Sequence, residues 1–346
     1  MVTLESKFGV SSIGKVAIIS RPFPLVGHIA FGIIDRGYNN LQVRVSSLCP
    51  LSCLFCSVAA GPHSSRETEF LLNDSEWFAE WVKMAIKEKG SLHLLFDGIG
   101  DPITHRDLKK FVEAVKEIQG VLSITVETRL FPASRNLVYE LWNSGVDRFN
   151  VSIDSLNEEK AKILSGNSAY SVERVRDLIL YARKELGVEI HITPLWLPGL
   201  NDIDIEEIIS FAIKADIGSR IPPLGIQKYV AHKYGRKVAG VKEVSWSDFR
   251  SFLEKLQKKF GIKLLLSPED FGLEKAPRLH KPYRMGDSLK LTVAGKGLLK
   301  HEYLAIPPKK DRVFTLVSKK TNFTSGDVVA SKIIRDKDGV LIAVPK

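Results

Sequence analysis

The residues of this sequence best suited to chemistry are three cysteines, Cys49, Cys53 and Cys56, which are the only cysteines among its 346 residues. They lie in the stretch VRVSSLCPLSCLFCSVAAG, directly after an apolar, β-branched run. Three cysteines cannot pair among themselves, and a chain of this length buries a large core without covalent cross-links. The pattern therefore argues against a disulfide framework and indicates a reducing compartment.

Three nearby thiols can instead hold a metal centre. A structural zinc site needs four ligands, usually from two separated pairs, so here it would require His63 or a distant histidine. In a four-iron cluster each iron is normally held by one thiolate, so three cysteines leave one iron open for chemistry. Three inert cysteines in a core strand are disfavoured, because Pro50, Ser52 and Ser57 mark a loop.

The three cysteines, with the aromatic Phe55 directly before the third, form a C-x3-C-x-aromatic-C motif that resembles the signature of the radical S-adenosylmethionine (radical SAM) enzymes. The resemblance implies that Cys49, Cys53 and Cys56 hold a [4Fe–4S] cluster whose free iron chelates the amino and carboxylate groups of SAM. It also implies that an electron donor reduces the cluster, and that SAM is cleaved to methionine and a 5′-deoxyadenosyl radical that abstracts hydrogen from a substrate. The protein would position the cofactors and exclude water and oxygen.

The rest of the chain alternates strand and helix patterns, which predicts an α/β fold of parallel strands with helices outside. A partial, open (β/α)6 barrel, the fold typical of the radical SAM superfamily, suits the strand count better than a closed eight-stranded barrel. The predicted strands are 41–47, 91–96, 121–128, 146–154, 188–197, 224–230 and 262–267. The predicted helices are 75–89, 105–118, 136–145, 171–186, 205–215 and 247–260.

The charge distribution separates a C-terminal domain from this core. From Lys275 onward the chain has sixteen Lys and Arg against six Asp and Glu, so the whole net charge of +10 lies there. Short strand patterns at 287–295, 311–319, 326–339 and 340–345, with Asp338-Gly339 as a hairpin signal, predict a small all-β barrel. It resembles the TRAM or oligonucleotide-binding barrels that deliver RNA to modification enzymes.

The predicted domain organisation has three parts. Residues 1–40 form an N-terminal extension that packs on the barrel, residues 41–272 the (β/α)6 core, and residues 275–346 the basic, RNA-binding β-barrel. No targeting or membrane-spanning segment is apparent, which predicts a cytoplasmic protein without a membrane partner.

Functional groups in such barrels lie at the carboxyl ends of the strands. The second predicted strand is followed by FDGIGDP, whose glycines let the backbone approach a ligand. The resemblance assigns Gly98, Gly100, Asp101 and Pro102 to the cofactor site, with the backbone and the acid receiving the SAM amino group. Asp101 stands where the family usually has a glutamate.

The third predicted strand ends in ETRLFP and the fourth in VSID. Thr128 is retained from the family's T-N-G turn, and Arg129 either faces a substrate anion or is solvated. Ser152 and Asp154 alternate with apolar residues and so project to one face of the strand. The resemblance assigns both to SAM, and a buried Asp154 needs a ligand, a capping role or a neighbouring cation.

The sixth strand end carries Gln227, assigned to cofactor binding together with Phe55 and Thr128, and then a basic loop that contains tyrosines. Tyrosines stack on bases while Lys and Arg contact phosphates, so the loop is either a nucleic-acid contact or simply solvated. The candidate substrate residues are Arg129, Lys228, His232, Lys233, Tyr234, Arg236 and Lys237.

The cysteine count narrows the reaction. Methylthio transfer through a second cluster, methyl transfer through a separate cysteine, and peptide modification with auxiliary clusters all need further cysteines. The leading hypothesis is a single-cluster radical SAM enzyme that modifies RNA, with a tRNA nucleoside as the favoured substrate. The alternatives are a radical SAM enzyme acting on a small metabolite or lipid head group, and a non-catalytic iron–sulfur RNA-binding protein.

Overall fold

The computed structural model describes residues 8–346, which form two compact units. The first unit contains the described part of Met1–Leu48 together with Ser65–Ser123 and Lys275–Lys346, and the second contains Cys49–Ser64 and Ile124–Glu274. The strands are β1 Val10–Ile13, β2 Val16–Ile19, β3 Gly32–Asp35, β4 Asn40–Arg44, β5 Glu69–Leu72, β6 Leu92–Phe96, β7 Val121–Thr128, β8 Arg148–Val151, β9 Glu189–Ile192, β10 Leu195–Trp196, β11 Gln227–Lys228, β12 Ser288–Lys296, β13 Glu302–Ile306, β14 Phe314–Val317, β15 Val328–Arg335 and β16 Ile342–Pro345. The helices are α1 Ser75–Lys89, α2 Leu108–Lys116, α3 Arg135–Ser144, α4 Glu158–Ser165, α5 Val172–Lys184, α6 Asp202–Lys214 and α7 Trp246–Phe260.

Several helices begin and end at residues that local sequence signals mark. Asp74 accepts a hydrogen bond from the Trp77 N–H at the start of α1, and Asn157 and Ser171 cap α4 and α5 in the same way. A side-chain acceptor at this position satisfies an N–H group that has no partner within the helix. Helix α4 ends at Gly166, whose φ of 62° lies in the left-handed region that glycine adopts without strain.

The first unit contains two sheets besides the barrel. Strand β2 pairs antiparallel with β1 and parallel with β5, and β4 pairs antiparallel with β3 and parallel with β6. Helices α1 and α2 pack through Phe78 and Phe111, whose ring centroids are 5.6 Å apart. These pairings fix the residues that lead into the cysteine loop and the glycine-rich segment that follows β6.

The C-terminal strands form a closed barrel in the order β12-β13-β14-β16-β15. All of its pairings are antiparallel except that between β14 and β16. The expected hairpin at Asp338-Gly339 joins β15 to β16, which confirms that signal. Strand β13 was not predicted, although its residues Tyr303–Ile306 are all buried. The barrel core includes Leu291, Val293, Phe314, Leu316 and Ala343.

The barrel is joined to the N-terminal segment of the same unit by backbone hydrogen bonds. The Val313 N–H donates to the Val26 carbonyl at 2.9 Å, and the Leu341 N–H donates to the Gly27 carbonyl at 2.8 Å. Gly27 has a φ of 128°, and a Cβ there would overlap the Val313 carbonyl oxygen. The barrel is thus a built-in part of the first unit, while the division at 1–40, 41–272 and 275–346 stays a prediction.

The second unit continues the strand and helix alternation. Strands β7, β8 and β9 are parallel, as are β10 and β11. All four residues of β9 are buried, which suits a strand covered on both faces. The expected α/β class with a small C-terminal barrel is confirmed. In residues 8–346, no helix is both long enough and apolar enough to span a membrane.

Two strand predictions differ from the structure. The sixth predicted strand, 224–230, reduces to the two residues of β11. Residues 262–267 form no strand, because the N–H groups of Leu264 and Leu265 donate to the Gln257 side-chain oxygen at 3.0 and 3.3 Å. A short apolar run in the sequence does not show whether the segment pairs in a β-sheet or is held by hydrogen bonds to one side chain.

Candidate cofactor site

The three cysteines lie in a loop of the second unit whose backbone is folded by its own turns. The Cys56 N–H donates to the Cys53 carbonyl at 3.1 Å, and the Ala59 N–H donates to the Cys56 carbonyl at 3.2 Å. Successive turns bring residues three apart in sequence close together in space. The C-x3-C-x-aromatic-C spacing therefore gathers the thiols on one short segment.

The end of helix α4 anchors this loop. The N–H groups of Ser52 and Leu54 donate to the carbonyls of Ser165 and Leu164, both at 3.0 Å. A Cβ on Gly166 would overlap the Ser52 carbonyl oxygen, so only glycine allows this approach. The sequence analysis missed this anchor. The signal available was Gly166 itself, which marks a helix end but not its neighbour.

The thiol groups have different environments. Cys53 is buried, and burial raises the pKa of its thiol to about 11 although the charge of Arg129 acts in the opposite sense. The Ala60 N–H donates to the Cys56 sulfur at 3.3 Å. Iron binds the thiolate, so metal binding would release the Cys53 proton. Hydrogen bonds to sulfur and burial are two of the means by which proteins set cluster potentials.

The donor set fits a cluster better than a single ion. Among the side chains of residues 8–346, no group of three or more His, Cys, Asp and Glu is arranged to hold one metal ion. His63, the ligand that a zinc site would have needed, is exposed. Three thiols on one short segment have the chemistry that a cluster needs, since each thiolate can bind a different iron.

A buried ion pair lies behind the cysteine loop. The Arg129 Nη2 donates to the Asp154 Oδ2 at 2.7 Å, and the Leu195 N–H donates to the Asp154 Oδ1 at 2.9 Å. The guanidinium also stands 5.8 Å from the centroid of the Phe55 ring and 5.6 Å from that of Tyr170. Cation–π contacts with these two rings stabilise the buried guanidinium in addition to its ion pair with Asp154.

This pair bears on one expectation for each of its two residues. Arg129 was expected either to face a substrate anion or to be solvated, but its side chain is only 12% exposed and is paired. Burial alone would lower the pKa of Arg129, yet the adjacent charge of Asp154 raises it above the ordinary range. Of the three partners expected for a buried Asp154, the structure contains the neighbouring cation.

The remaining predicted cofactor residues of the second unit are polar groups at strand ends. The hydroxyls of Ser152 and Thr193 are 2.9 Å apart, and the Thr128 hydroxyl oxygen accepts from the Leu130 N–H at 2.9 Å. Gln227 is exposed in β11. Their assignment to SAM stays a prediction.

The basic loop after β11 divides into inward and outward side chains. Lys228 is buried, with its ammonium 2.8 Å from Glu243 and 5.1 Å from the Trp246 ring. Arg236 points to the cysteine loop, where it donates to the carbonyls of Cys53 and Ala60. The exposed part of the predicted substrate set is therefore His232, Lys233, Tyr234 and Lys237.

The glycine-rich segment lies in the first unit, against residues 46–48, which follow β4 and precede the cysteines. The Asp101 N–H donates to the Leu48 carbonyl at 2.8 Å, and its buried carboxylate accepts from the Ile103 N–H at 3.3 Å. Pro102 begins the short helical turn that Asp101 caps. A Cβ on Gly98 would lie 3.0 Å from the Ser46 carbonyl oxygen. The assignment of these residues to SAM likewise stays a prediction.

Arg66 supports this segment and was missed by the sequence analysis. Its guanidinium is buried and donates to the carbonyls of Ser47 at 3.1 Å and Ile99 at 2.5 Å. It also pairs with Glu69 at 3.0 Å. One planar guanidinium thus ties two loops to a strand. A lone arginine in the polar run SSRETE gives no sequence signal for this role.

Replacing Gly100 by alanine is expected to destabilise the first unit strongly. The new Cβ would overlap the carbonyl oxygens of Leu48 and Ser47, which are backbone atoms and cannot rotate away. We expect a loss of about 3 kcal/mol or more in the free energy of unfolding, measured by denaturant titration. Gly295→Ala is the control, since its Cβ would meet no heavy atom nearer than 3.7 Å. Equal stability of the two variants would contradict the close approach of Gly100 to the carbonyl oxygens of Leu48 and Ser47.

Comparisons with known proteins agree with this geometry. The family model described as the radical SAM superfamily matches residues 43–212. The uncharacterized protein MJ0103 of Methanocaldococcus jannaschii is 33% identical over 350 residues, covering 95% of this chain and 80% of that protein. A GTP 3′,8-cyclase of Campylobacter jejuni subsp. doylei is 26% identical over 240 residues, covering 68% of each chain.

The fold is also that of a solved structure. The crystal structure of Streptococcus suis SuiB bound to precursor peptide SuiA matches 70% of this chain and 48% of that longer one, with a TM-score of 0.50 and 18% identity. The chain thus spans about half the length of SuiB. The matched family segment begins in the strand before Cys49 and includes all three cysteines. The chain therefore belongs to the radical SAM superfamily of enzymes, whose cofactors are S-adenosylmethionine and a [4Fe–4S] cluster.

Proposed function

We propose that this enzyme modifies a nucleoside of RNA, with tRNA as the favoured substrate. Cys49, Cys53 and Cys56 would hold the cluster and leave one iron open for SAM. When bound and reduced by an external electron donor, the cluster would supply the one electron needed to cleave SAM to methionine and a 5′-deoxyadenosyl radical. The chain's own side chains would bind the RNA, place the target nucleoside and exclude water. The target nucleotide would have to be flipped out of its stack to reach the radical.

The main observation that supports RNA as the substrate is the C-terminal barrel. A closed five-stranded barrel is the architecture of oligonucleotide-binding folds, and this one carries the entire net charge of the chain. Lys290 on β12 and Lys332 on β15 are both exposed. Because Lys290 pairs with Ala330 and Lys332 with Ser288, these lysines are diagonal neighbours on adjacent strands, roughly 7–8 Å apart. Such a cationic face attracts a phosphate backbone.

The exposed part of the loop after β11 gives independent support. Tyr234 is 64% exposed, and the Lys233 ammonium lies 5.1 Å from its ring centroid. His232 and Lys237 are exposed beside them. An exposed ring flanked by cations suits a base that stacks and a phosphate that pairs. The backbone of the same loop is bonded to the cysteine loop, since the Arg236 N–H donates to the Cys56 carbonyl.

The test is anaerobic. The cluster is reconstituted, SAM and a reductant are added, and 5′-deoxyadenosine is quantified with and without tRNA from cells that lack the gene. Formation of 5′-deoxyadenosine that depends on this tRNA, with a changed nucleoside found by mass spectrometry, is the expected result. Formation that is indifferent to RNA would overturn the RNA substrate and leave the family activity in place.

Charge reversal on the barrel is expected to weaken RNA binding. In the double variant Lys290→Glu/Lys332→Glu, tRNA affinity should fall at least about tenfold at low salt, because two phosphate contacts become repulsive. The slope of log affinity against log salt should become shallower by about 2. Filter binding or fluorescence anisotropy at several salt concentrations measures both quantities.

The matched control reverses two lysines elsewhere in the same unit. Lys83→Glu/Lys87→Glu changes the net charge equally on the exposed surface of α1. Equal loss of affinity in both double variants would assign the effect to overall charge and not to the barrel. Point variants are required, because deleting residues 275–346 would leave the carbonyls of Val26 and Gly27 without their barrel donors.

A free nucleotide is the second candidate substrate, within the broader alternative of a small metabolite. The observation that favours it is the 26% identity to a GTP 3′,8-cyclase over 68% of each chain. In that case the exposed loop cations would bind one phosphate group and the barrel would have another role. Formation of 5′-deoxyadenosine that depends on GTP and not on tRNA would select this candidate.

A further inference from the structure

The loop after β11 folds back onto the cysteine loop through Arg236. Its backbone N–H donates to the Cys56 carbonyl at 2.9 Å. Its guanidinium donates through Nη1 to the Cys53 carbonyl at 3.2 Å and through Nη2 to the Ala60 carbonyl at 2.6 Å. One residue therefore holds three carbonyl groups on the segment that contains two of the three cysteines.

An arginine is required for this arrangement. The guanidinium is planar and presents several N–H donors in a fixed fork, so it can bind two separate carbonyls at once. A lysine ammonium is a point charge on a flexible stem and does not impose the same spacing. The charge also lies beside a loop that carries thiolates when iron is bound, which favours a cation at this position.

The preceding glycine makes the close approach possible. A Cβ on Gly235 would lie 2.7 Å from the Ser57 carbonyl oxygen and 2.9 Å from that of Cys56. These are backbone atoms, so any larger residue must push the two loops apart. The contact between this loop and the cysteine loop thus depends on the missing side chain of Gly235 and on the N–H donors of the Arg236 guanidinium.

The loop that carries Arg236 is itself held in place. The Tyr229 ring is buried with Leu164 and Leu197, and its hydroxyl accepts from the Val238 N–H at 3.2 Å. Glu243 accepts from the Ala231 N–H at 3.2 Å and pairs with the buried Lys228. Arg236 therefore projects from a supported segment and can hold the cysteine loop without moving away.

We propose that Arg236 is a positioning residue of the cluster. It fixes the backbone on either side of Cys56, so that the thiols of Cys53 and Cys56 keep the spacing that two irons of one cluster require. The inference rests on the assignment of the cluster to these cysteines and is independent of the substrate. Residues that orient metal ligands in this way commonly change metal affinity about 10–100-fold when they are replaced.

The experiment compares four variants with the wild type after anaerobic reconstitution. Arg236→Gln removes both the guanidinium fork and its positive charge, whereas Arg236→Lys keeps only the charge. Gly235→Ala keeps the guanidinium but pushes the two loops apart. Lys237→Gln, at an exposed neighbouring position, is the control. Iron content, the electron paramagnetic resonance spectrum of the reduced protein and the half-life of cluster absorbance in air are measured. We expect Arg236→Gln and Gly235→Ala to lose the cluster about tenfold faster with altered spectra. Arg236→Lys should be intermediate and Lys237→Gln unchanged.

A readout on the metal-free protein separates positioning from folding. Thermal unfolding of the apo-forms of Arg236→Gln and Arg236→Lys should stay close to that of the wild type. Alkylation of the buried Cys53 should become faster in Arg236→Gln, because the loop that contains this thiol loses the two hydrogen bonds from the guanidinium. Wild-type spectra and half-life in Arg236→Gln and Gly235→Ala would overturn the inference. Altered spectra in Arg236→Gln would also overturn the inference if the apo-form of this variant were strongly destabilised, because the cause would then be a loss of folding. A wild type that assembles no cluster would instead refute the cofactor assignment on which the proposed function also depends.

Discussion

Replacing Cys53 by alanine is expected to reduce 5′-deoxyadenosine formation to that of a no-enzyme control. Three irons of the cluster each need a thiolate, and residues 1–346 contain no fourth cysteine that could replace Cys53. Cys53 is also the buried one of the three, so its loss removes the ligand best shielded from water. Iron analysis after reconstitution and chromatographic quantification of 5′-deoxyadenosine measure the two effects.

The control for this prediction is Ser57→Ala, an exposed position directly after Cys56. It should retain wild-type iron content and SAM cleavage. Cys49→Ala and Cys56→Ala should resemble Cys53→Ala, since three thiolates are needed at three irons. A Cys53→Ala protein that still cleaves SAM with normal iron content would contradict the assignment of the cluster to this loop.

Breaking the buried pair between Arg129 and Asp154 is expected to have the largest effect on stability. Arg129→Gln would leave the Asp154 carboxylate, 2% exposed, without its counter-ion. Removing one partner of a buried pair commonly costs about 3–5 kcal/mol in the free energy of unfolding, because the remaining charge stays out of water. Denaturant titration of the apo-protein, with hydrogen exchange of β7 and β8 as a local readout, measures the loss.

The double variant Arg129→Gln/Asp154→Asn tests the cause. It removes both charges, so most of the stability lost in Arg129→Gln should return. Stability losses of the two single variants that simply add in the double variant would show that the two residues do not depend on each other. A low activity that persists in the stable double variant would mean that the pair also acts on the bound cofactors.

The chemistry of the site was more predictable from sequence than its support. The spacing of Cys49, Cys53 and Cys56 is local, and the glycines of the second strand end follow a strand of clear apolar pattern, so neither required knowledge of the fold. The partners of Arg129 and Arg236 lie 25 residues or more away in sequence. Residue type cannot distinguish a solvated arginine from a buried one. The predicted substrate set therefore included three side chains that the structure turns inward, Arg129, Lys228 and Arg236.

The same distinction applies to the fold. Most of the strand and helix alternation of the core follows from periodicity and was predicted. The predicted strands at 224–230 and 262–267 differ from the structure, and β5, α4 and β13 were not predicted. Strand β13 has no alternation because all but its first residue are buried. Helix α4 is only eight residues long. Both elements are defined by what they pack against, and a short window of sequence contains no such information.

The way in which the first unit is assembled has a consequence for folding. The Leu341 N–H bonds to the carbonyl of Gly27, whereas the second unit is drawn mostly from the continuous stretch Ile124–Glu274. During synthesis the second unit can complete most of its contacts while residues 26 and 27 still wait for β14 and β16 to emerge. Contacts between residues so distant in sequence form slowly, because a long loop must close first. The cysteine loop can thus acquire its α4 anchor early, whereas the basic barrel is joined to the N-terminal segment among the last steps of maturation.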